Sequence, residues 1–282
     1  MRFPRICRQL GACALMACAA PFSAAASGAQ APALPILVYH QIRQGTAGPP
    51  DDLDVISLER FESQMRYLKD RGYITLSAHD VIDFVRQGRT PGPRIVAIHF
   101  DDGWKSALAA LPVLERYNFQ ATFWIIAGKG IGWPHMDWNE VEAISRNPRY
   151  TIGSHTMTHP WKNQDTLIDW LTGRKPDKGV ADVSWELSQS RQVLQQKLGR
   201  HIDQLAWPRG LYNDPLIALA KDAGYVALFT VDDGLNRHGD NLLRLRRTMI
   251  HGGCDERAFE ETLHSGIYQA CGSGDGSAGG SH

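Results

Sequence analysis

Net charge is the first thing this sequence lacks. Thirty basic residues balance thirty acidic ones over 282 positions, so nothing suggests a polyanion partner held by a broad positive field, and nucleic acid is not expected as a partner. A neutral or weakly charged substrate fits better. Cysteine is nearly absent beyond the first thirty residues, where only Cys254 and Cys271 remain. They permit at most one disulfide, favoured outside the cytoplasm, and two separate thiols are the alternative. Past the same point no run is apolar for long enough to cross a bilayer.

What the chain does have begins with a leader. Arg2, Arg5 and Arg8 precede LGACALMACAAPFSAAA, a basic head followed by a short apolar, alanine-rich run, which is the pattern of an export signal. Cleavage falls after the small residues Ala24 to Ala26, or LMAC serves as a lipobox with Cys18 as a lipid-bearing terminus. Residues 1–30 are thus read as signal and spacer. The product is exported, to the periplasm or outer membrane or else outside the cell, and meets a membrane only through such an anchor. Residues 31–270 are read as one folded domain, and the Gly and Ser-rich stretch 271–282 as a disordered tail.

Within that domain, apolar strands alternate with amphipathic helices. PILVYHQI reads as a strand, and Leu58, Phe61, Met65 and Leu68 mark one face of a helix capped by Ser57. YITLS, RIVAIHF, ATFWIIAG, YTIGSHT, QLAWPRG, YVALFTV and RRTMIHG follow as strands with helical segments between them. The strands are apolar throughout instead of at every second residue, which predicts a parallel sheet covered by helices. About eight repeats predict an α/β fold of the parallel (β/α) barrel type, whose active site lies at the carboxyl ends of the strands. The polar residues at those ends are His40, Asp101 and Asp102, His155, Arg209, and Asp232 with Asp233.

Two motifs stand out among them. HFDDGW, residues 99–104, sets two carboxylates side by side at a strand end, either as a turn or as a place where one acid binds a cation and its neighbour moves protons. SHTMTHP sets His155 and His159 four residues apart, a spacing that lets paired imidazoles hold one metal ion. One Asp and two His leave coordination positions open for water and substrate. Zinc is the first expectation, and cobalt, nickel or iron suit the same donors.

These motifs resemble those of the polysaccharide deacetylases, carbohydrate esterase family 4, where the first is usually TFDDG and the second HSxxH or HTxxH. The resemblance implies a distorted (β/α) barrel in a single domain, with Asp101 as general base and Asp102, His155 and His159 as metal ligands. In the third motif, usually RxPxG, this chain reads AWPRG. Ala206 therefore stands where an arginine usually pairs with the base, and Arg247 is the candidate replacement. By the same resemblance the backbone N–H of Arg209 stabilises the oxyanion. MIHGG, with His251, is a poor version of the late Leu-x-His motif. PILVYHQI and AWPRGLYND instead resemble the branch that deacetylates poly-β-1,6-N-acetyl-D-glucosamine during biofilm export, where the acid comes from the first strand; His40 is then the general acid, and His251 is the second choice for that role or, as first reading, a structural residue.

The implied function is removal of N-acetyl groups from an extracytoplasmic N-acetylglucosamine polymer, with an exopolysaccharide export machine as a possible partner. Alternatives are a deacetylase of peptidoglycan, chitin oligosaccharides or O-acetyl esters, or a polysaccharide-binding module with weak catalysis, which the missing third-motif arginine favours. Trp104, Trp133, Trp138, Trp161 and Trp207 are aromatic candidates for sugar stacking, Trp207 foremost. TLIDWLTGRKPDKGV, after the histidine pair, reads as a loop beside the groove.

Overall fold

The computed structural model describes residues 31–45, 54–128, 131–253 and 255–268. The leader, the Gly and Ser-rich tail and both Cys254 and Cys271 lie outside the described residues. The core of the domain is one sheet of eight strands: β1 (Ile36–Tyr39), β2 (Ile74–Leu76), β3 (Ile95–Phe100), β4 (Ala121–Ile125), β5 (Tyr150–Ser154), β6 (Gln204–Ala206), β7 (Ala227–Phe229) and β8 (Thr248–Met249). Their order is β7-β6-β5-β4-β3-β1-β8, with β2 paired to the first half of β3, and every pairing is parallel.

Helices cover this sheet: α1 (Leu58–Asp70), α2 (Ala78–Gln87), α3 (Leu111–Tyr117), α4 (Trp138–Ser145), α5 (Leu167–Leu171), α6 (Val180–Leu198), α7 (Asp214–Asp222) and α8 (Glu256–Ser265). Ser57 caps α1 by accepting from the Arg60 N–H, and Phe61, Met65 and Leu68 are the buried face that the spacing predicts. Alternate residues of β3 serve two cores. Val96, Ile98 and Phe100 pack with residues of α1 and α3, while Ile95 and Ala97 pack with Trp124, Ala206, Phe229 and residues of α2. This double burial is why the strand is written in apolar letters from end to end.

The distortion of the barrel has a definite place. β7 and β8 are the two ends of the sheet, and no ladder joins them among the described residues. Instead one segment spans the seam, since Leu245 bridges to Phe229 of β7 while Thr248 and Met249 pair with Leu37 and Val38 of β1. Arg247 lies on this segment. The stretch expected as a loop after the histidine pair also differs: it folds into α5, with a capping box between Thr166 and Asp169, and buries Leu167 and Trp170 against α6 and α7 residues.

Candidate metal centre

Sheet register sets the site. Tyr39 lies opposite Phe100, Ile125 opposite Ser154, and Leu205 opposite Ser154, so the residues that follow these strands emerge at one end. His40 and Asp101 come out beside each other, and His155 comes out beside Ala206. Gly153 is needed for this packing, because a Cβ there would lie 2.2 Å from the Trp124 ring. Four of the six described non-glycine residues with positive φ lie in the turns above the sheet: Asp102 (68°), Thr156 (64°), His159 (53°) and Arg209 (54°). Such conformations cost on the order of 1–3 kcal/mol each and cluster where a site requires them.

Asp102, His155 and His159 each offer one ligand atom to a group whose members lie within 4.8 Å of one another. Asp102 Oδ1 is 3.3 Å from His155 Nε2 and 3.4 Å from His159 Nε2. Two bonds of about 2.0–2.1 Å at a tetrahedral angle separate their ligand atoms by about 3.3 Å, so the spacing fits a small divalent cation. His155 Nδ1 is 2.8 Å from the Ala206 carbonyl oxygen. As donor there, it leaves the Nε2 lone pair directed at the group, the outer contact that metal-binding histidines commonly make. Trp104 Nε1 donates to the other Asp102 oxygen at 3.0 Å.

Electrostatics favour positive charge at this point. Burial pushes the Asp102 carboxyl up, but the hydrogen bond with His155 and the nearby histidines outweigh it and hold it far below the usual carboxylate range. Burial opposes charge on His155, yet Asp102 and Asp101 prevail and raise its pKa. His159, nearly as deep and beside His155, is brought down to about 4. Its neutral imidazole is the form that binds metal.

Asp101 is 3% exposed and meets Arg247, which is 0% exposed, in a two-pronged contact. Arg247 Nη1 donates to Oδ1 at 2.7 Å and Nη2 to Oδ2 at 2.8 Å, while Nε donates to the Thr230 carbonyl at 2.7 Å. Burial raises the Asp101 pKa; Arg247 and His155 more than offset it, so the carboxyl is held below its ordinary value. Arg247 thus supplies the guanidinium that Ala206 cannot. Asp101 Oδ2 lies 3.9 Å from His155 Nε2, at the edge of the ligand group. The first motif's unusual His99 is absorbed by the core, edge-on to Trp124 and Phe229, where burial and the charge of Arg247 push its pKa well down.

His40 leaves the end of β1 beside Asp101, and its Nδ1 stands 4.0 Å from Asp54 Oδ1. Arg209 points its side chain elsewhere and donates to the Trp161 carbonyl at 3.3 Å. Trp207, expected to stack on a sugar, is completely buried among Trp170, Leu187 and Leu216. That expectation is corrected, because alternation along β6 sends this ring to the helices while the neighbouring Ala206 carbonyl faces the site. Trp133 and Trp161 are exposed, at 87% and 51%, and Trp104 lies stacked on His135. His251 packs edge to face against Tyr268, and Asp232 accepts from the Tyr212 hydroxyl at 2.6 Å. Sequence reasoning missed Glu186, a buried carboxylate under the histidine turn.

Known proteins share both sequence and fold with this chain. The family model described as polysaccharide deacetylase matches residues 88–228, half of the chain. The YxkH protein of Bacillus subtilis (strain 168) is 29% identical over 233 residues, covering 82% of this chain and 76% of its own. The poly-beta-1,6-N-acetyl-D-glucosamine N-deacetylase of Staphylococcus aureus (strain MRSA252) is 25% identical over 215 residues, 74% of this chain and 70% of that one. Among solved structures, IcaB from Ammonifex degensii superposes with a TM-score of 0.70 over 84% of this chain and 98% of its own, at 22% identity. By fold, and by a model that reaches from before the first motif to past the third, this chain belongs to the polysaccharide deacetylase family, carbohydrate esterase family 4, and is a deacetylase.

Proposed function

We propose that the protein is a metal-dependent N-deacetylase of an exported N-acetylglucosamine polymer, with poly-β-1,6-N-acetyl-D-glucosamine as the first substrate. The observation that carries the reading is the convergence of Asp102, His155 and His159 beside an Asp101 gripped by Arg247. The Staphylococcus aureus relative supports the substrate, and the basic, apolar leader of residues 1–30 supports export. The donor set suits zinc, with cobalt, nickel or iron as other occupants.

Asp102 Oδ1, His155 Nε2 and His159 Nε2 would hold the cation. Once bound, it would lower the pKa of water and polarise the acetyl carbonyl. Asp101 takes the proton of the attacking water. The Arg247 contact leaves further lone pairs on both its oxygens, and the depressed pKa keeps it ready as a base at neutral pH. By the family resemblance, the Arg209 N–H would stabilise the developing oxyanion. His40 donates a proton to the nitrogen as the carbon–nitrogen bond breaks, so water and amide become acetate and a free amine. The binding-module reading loses its support, because Arg247 takes the place of the missing third-motif arginine.

Acetate release from defined acetylated glycans, with and without a chelator, tests the proposal. Turnover of the β-1,6-linked oligomer that stops with chelator and returns with added zinc or cobalt is expected. Undiminished turnover after complete metal removal refutes the metal role, and preference for peptidoglycan or chitin fragments moves the substrate.

A further inference from the structure

The turn His155–His159 is not a shape the chain adopts unaided, since Thr156 and His159 both have positive φ. One flank is held by the chain leaving β4. Ala127 N–H donates to the Thr156 carbonyl at 3.0 Å and Gly128 N–H to the Met157 carbonyl at 2.9 Å. Gly128 allows the approach, because a Cβ there would lie 2.9 Å from that same carbonyl oxygen. The other flank is held by a single side chain from α6. Glu186 Oε2 accepts the Met157 N–H at 2.9 Å and the Thr158 N–H at 2.8 Å, and Oε1 accepts from the Thr158 hydroxyl.

Glu186 is 1% exposed. A carboxylate in the buried face of a helix is a costly choice where leucine would pack. All three of these bonds go to the turn between the two histidines. One helical turn further on, Ser190 Oγ lies 2.9 Å from Ser154 Oγ, at the end of β5, so α6 grips the strand end and the turn separately. We propose that Glu186 is a positioning residue of the metal centre: its three accepted bonds set the turn that aims His159 at Asp102, and so set the affinity for the cation. The inference rests on the metal reading above.

Its test measures binding, not turnover. Zinc affinity by chelator competition and the visible spectrum of the cobalt form are compared among Glu186→Asp, Glu186→Gln, Thr158→Val and Ser190→Ala, each checked for folding by circular dichroism. Asp withdraws the carboxylate by one methylene, and a loss of about 10-fold or more is expected, with an altered cobalt spectrum. Gln keeps an oxygen for both N–H groups and an amide that donates to the Thr158 hydroxyl, so affinity within about 3-fold of wild type is expected. Thr158→Val, which leaves α6 untouched, loses affinity severalfold. Ser190→Ala melts earlier and keeps its metal. Wild-type affinity and spectrum in Thr158→Val and in a folded Glu186→Asp overturn the proposal. Equal weakening by Ser190→Ala also overturns it, by showing general loosening. A wild-type protein that binds neither ion removes the metal reading, and this inference with it.

Discussion

Replacing Arg247 by Met separates what this residue does for the fold from what it does for the base. Both partners of its pair with Asp101 are almost wholly buried, and Nε adds a bond to Thr230. Removing one partner of a buried pair costs about 3–5 kcal/mol, because the other charge is stranded. At roughly 2–4 °C per kcal/mol for a domain of this size, the melting temperature should fall by about 6–20 °C. In the wild type Asp101 has a depressed pKa, so its contribution to stability is present above about 3.9, the unfolded value, and is lost as pH falls through the lower folded value. Without Arg247, burial, already the largest single influence, loses its main opponent and the carboxyl moves upward. The acid limb of kcat/KM should then shift to higher pH, since a protonated Asp101 cannot take a proton from water. Arg247→Lys keeps one charge but not the fork and should fall between the two. The assay is acetate release against pH at saturating metal, beside thermal melts. A folded, metal-loaded Met variant whose acid limb stays in place would refute the pairing as the origin of the base's pKa.

Other expected outcomes follow from the same geometry. Asp101→Asn should keep its metal by elemental analysis while turnover drops by about 10²–10⁴-fold, the usual worth of a general base; normal hydrolysis takes Asp101 out of that role. His40→Ala should lower kcat by a similar factor of about 10²–10⁴ with metal retained, and unchanged kcat moves the acid elsewhere. Gly153→Ala places a methyl group 2.2 Å from the Trp124 ring, and a loss of about 1–3 kcal/mol in denaturant melts is expected from overpacking. An Ala variant as stable as wild type would show that Trp124 has room to move.

The parts of the site that could be read from the letters are those whose neighbours in sequence are also neighbours in space. Asp101 and Asp102 share one turn, His155 and His159 share another, and the apolar runs before them announce the strands that deliver them. Trp207 follows the same rule in reverse: its place beside a strand end is legible, but which face its ring takes depends on the phase of three residues of β6. Arg247 reaches Asp101 across 146 positions and the barrel seam, so only the family resemblance, not spacing, brought it forward. Glu186 was hidden for another reason. Inside SWELSQS it looks like one more polar residue of an amphipathic helix, and nothing nearby tells that the helix buries it. The helix α5 was legible in principle, because Thr166 and Asp169 stand at capping-box spacing, but the surrounding Gly, Lys and Pro drew that stretch toward a loop.

The seam carries a consequence for the order in which competence arises. All three proposed ligands and the proposed base are contributed by the chain up to His159, whereas the guanidinium paired with Asp101 comes from the residue just before β8, the last strand in chain order. A protein clipped just before Arg247 would still carry the proposed ligands as well as Ala206 and Glu186, and would lack the counter-charge that pairs with Asp101. On the proposed mechanism, hydrolytic power is tied to completion of the polypeptide's wrap, and metal content by itself is a poor gauge of how many molecules are active.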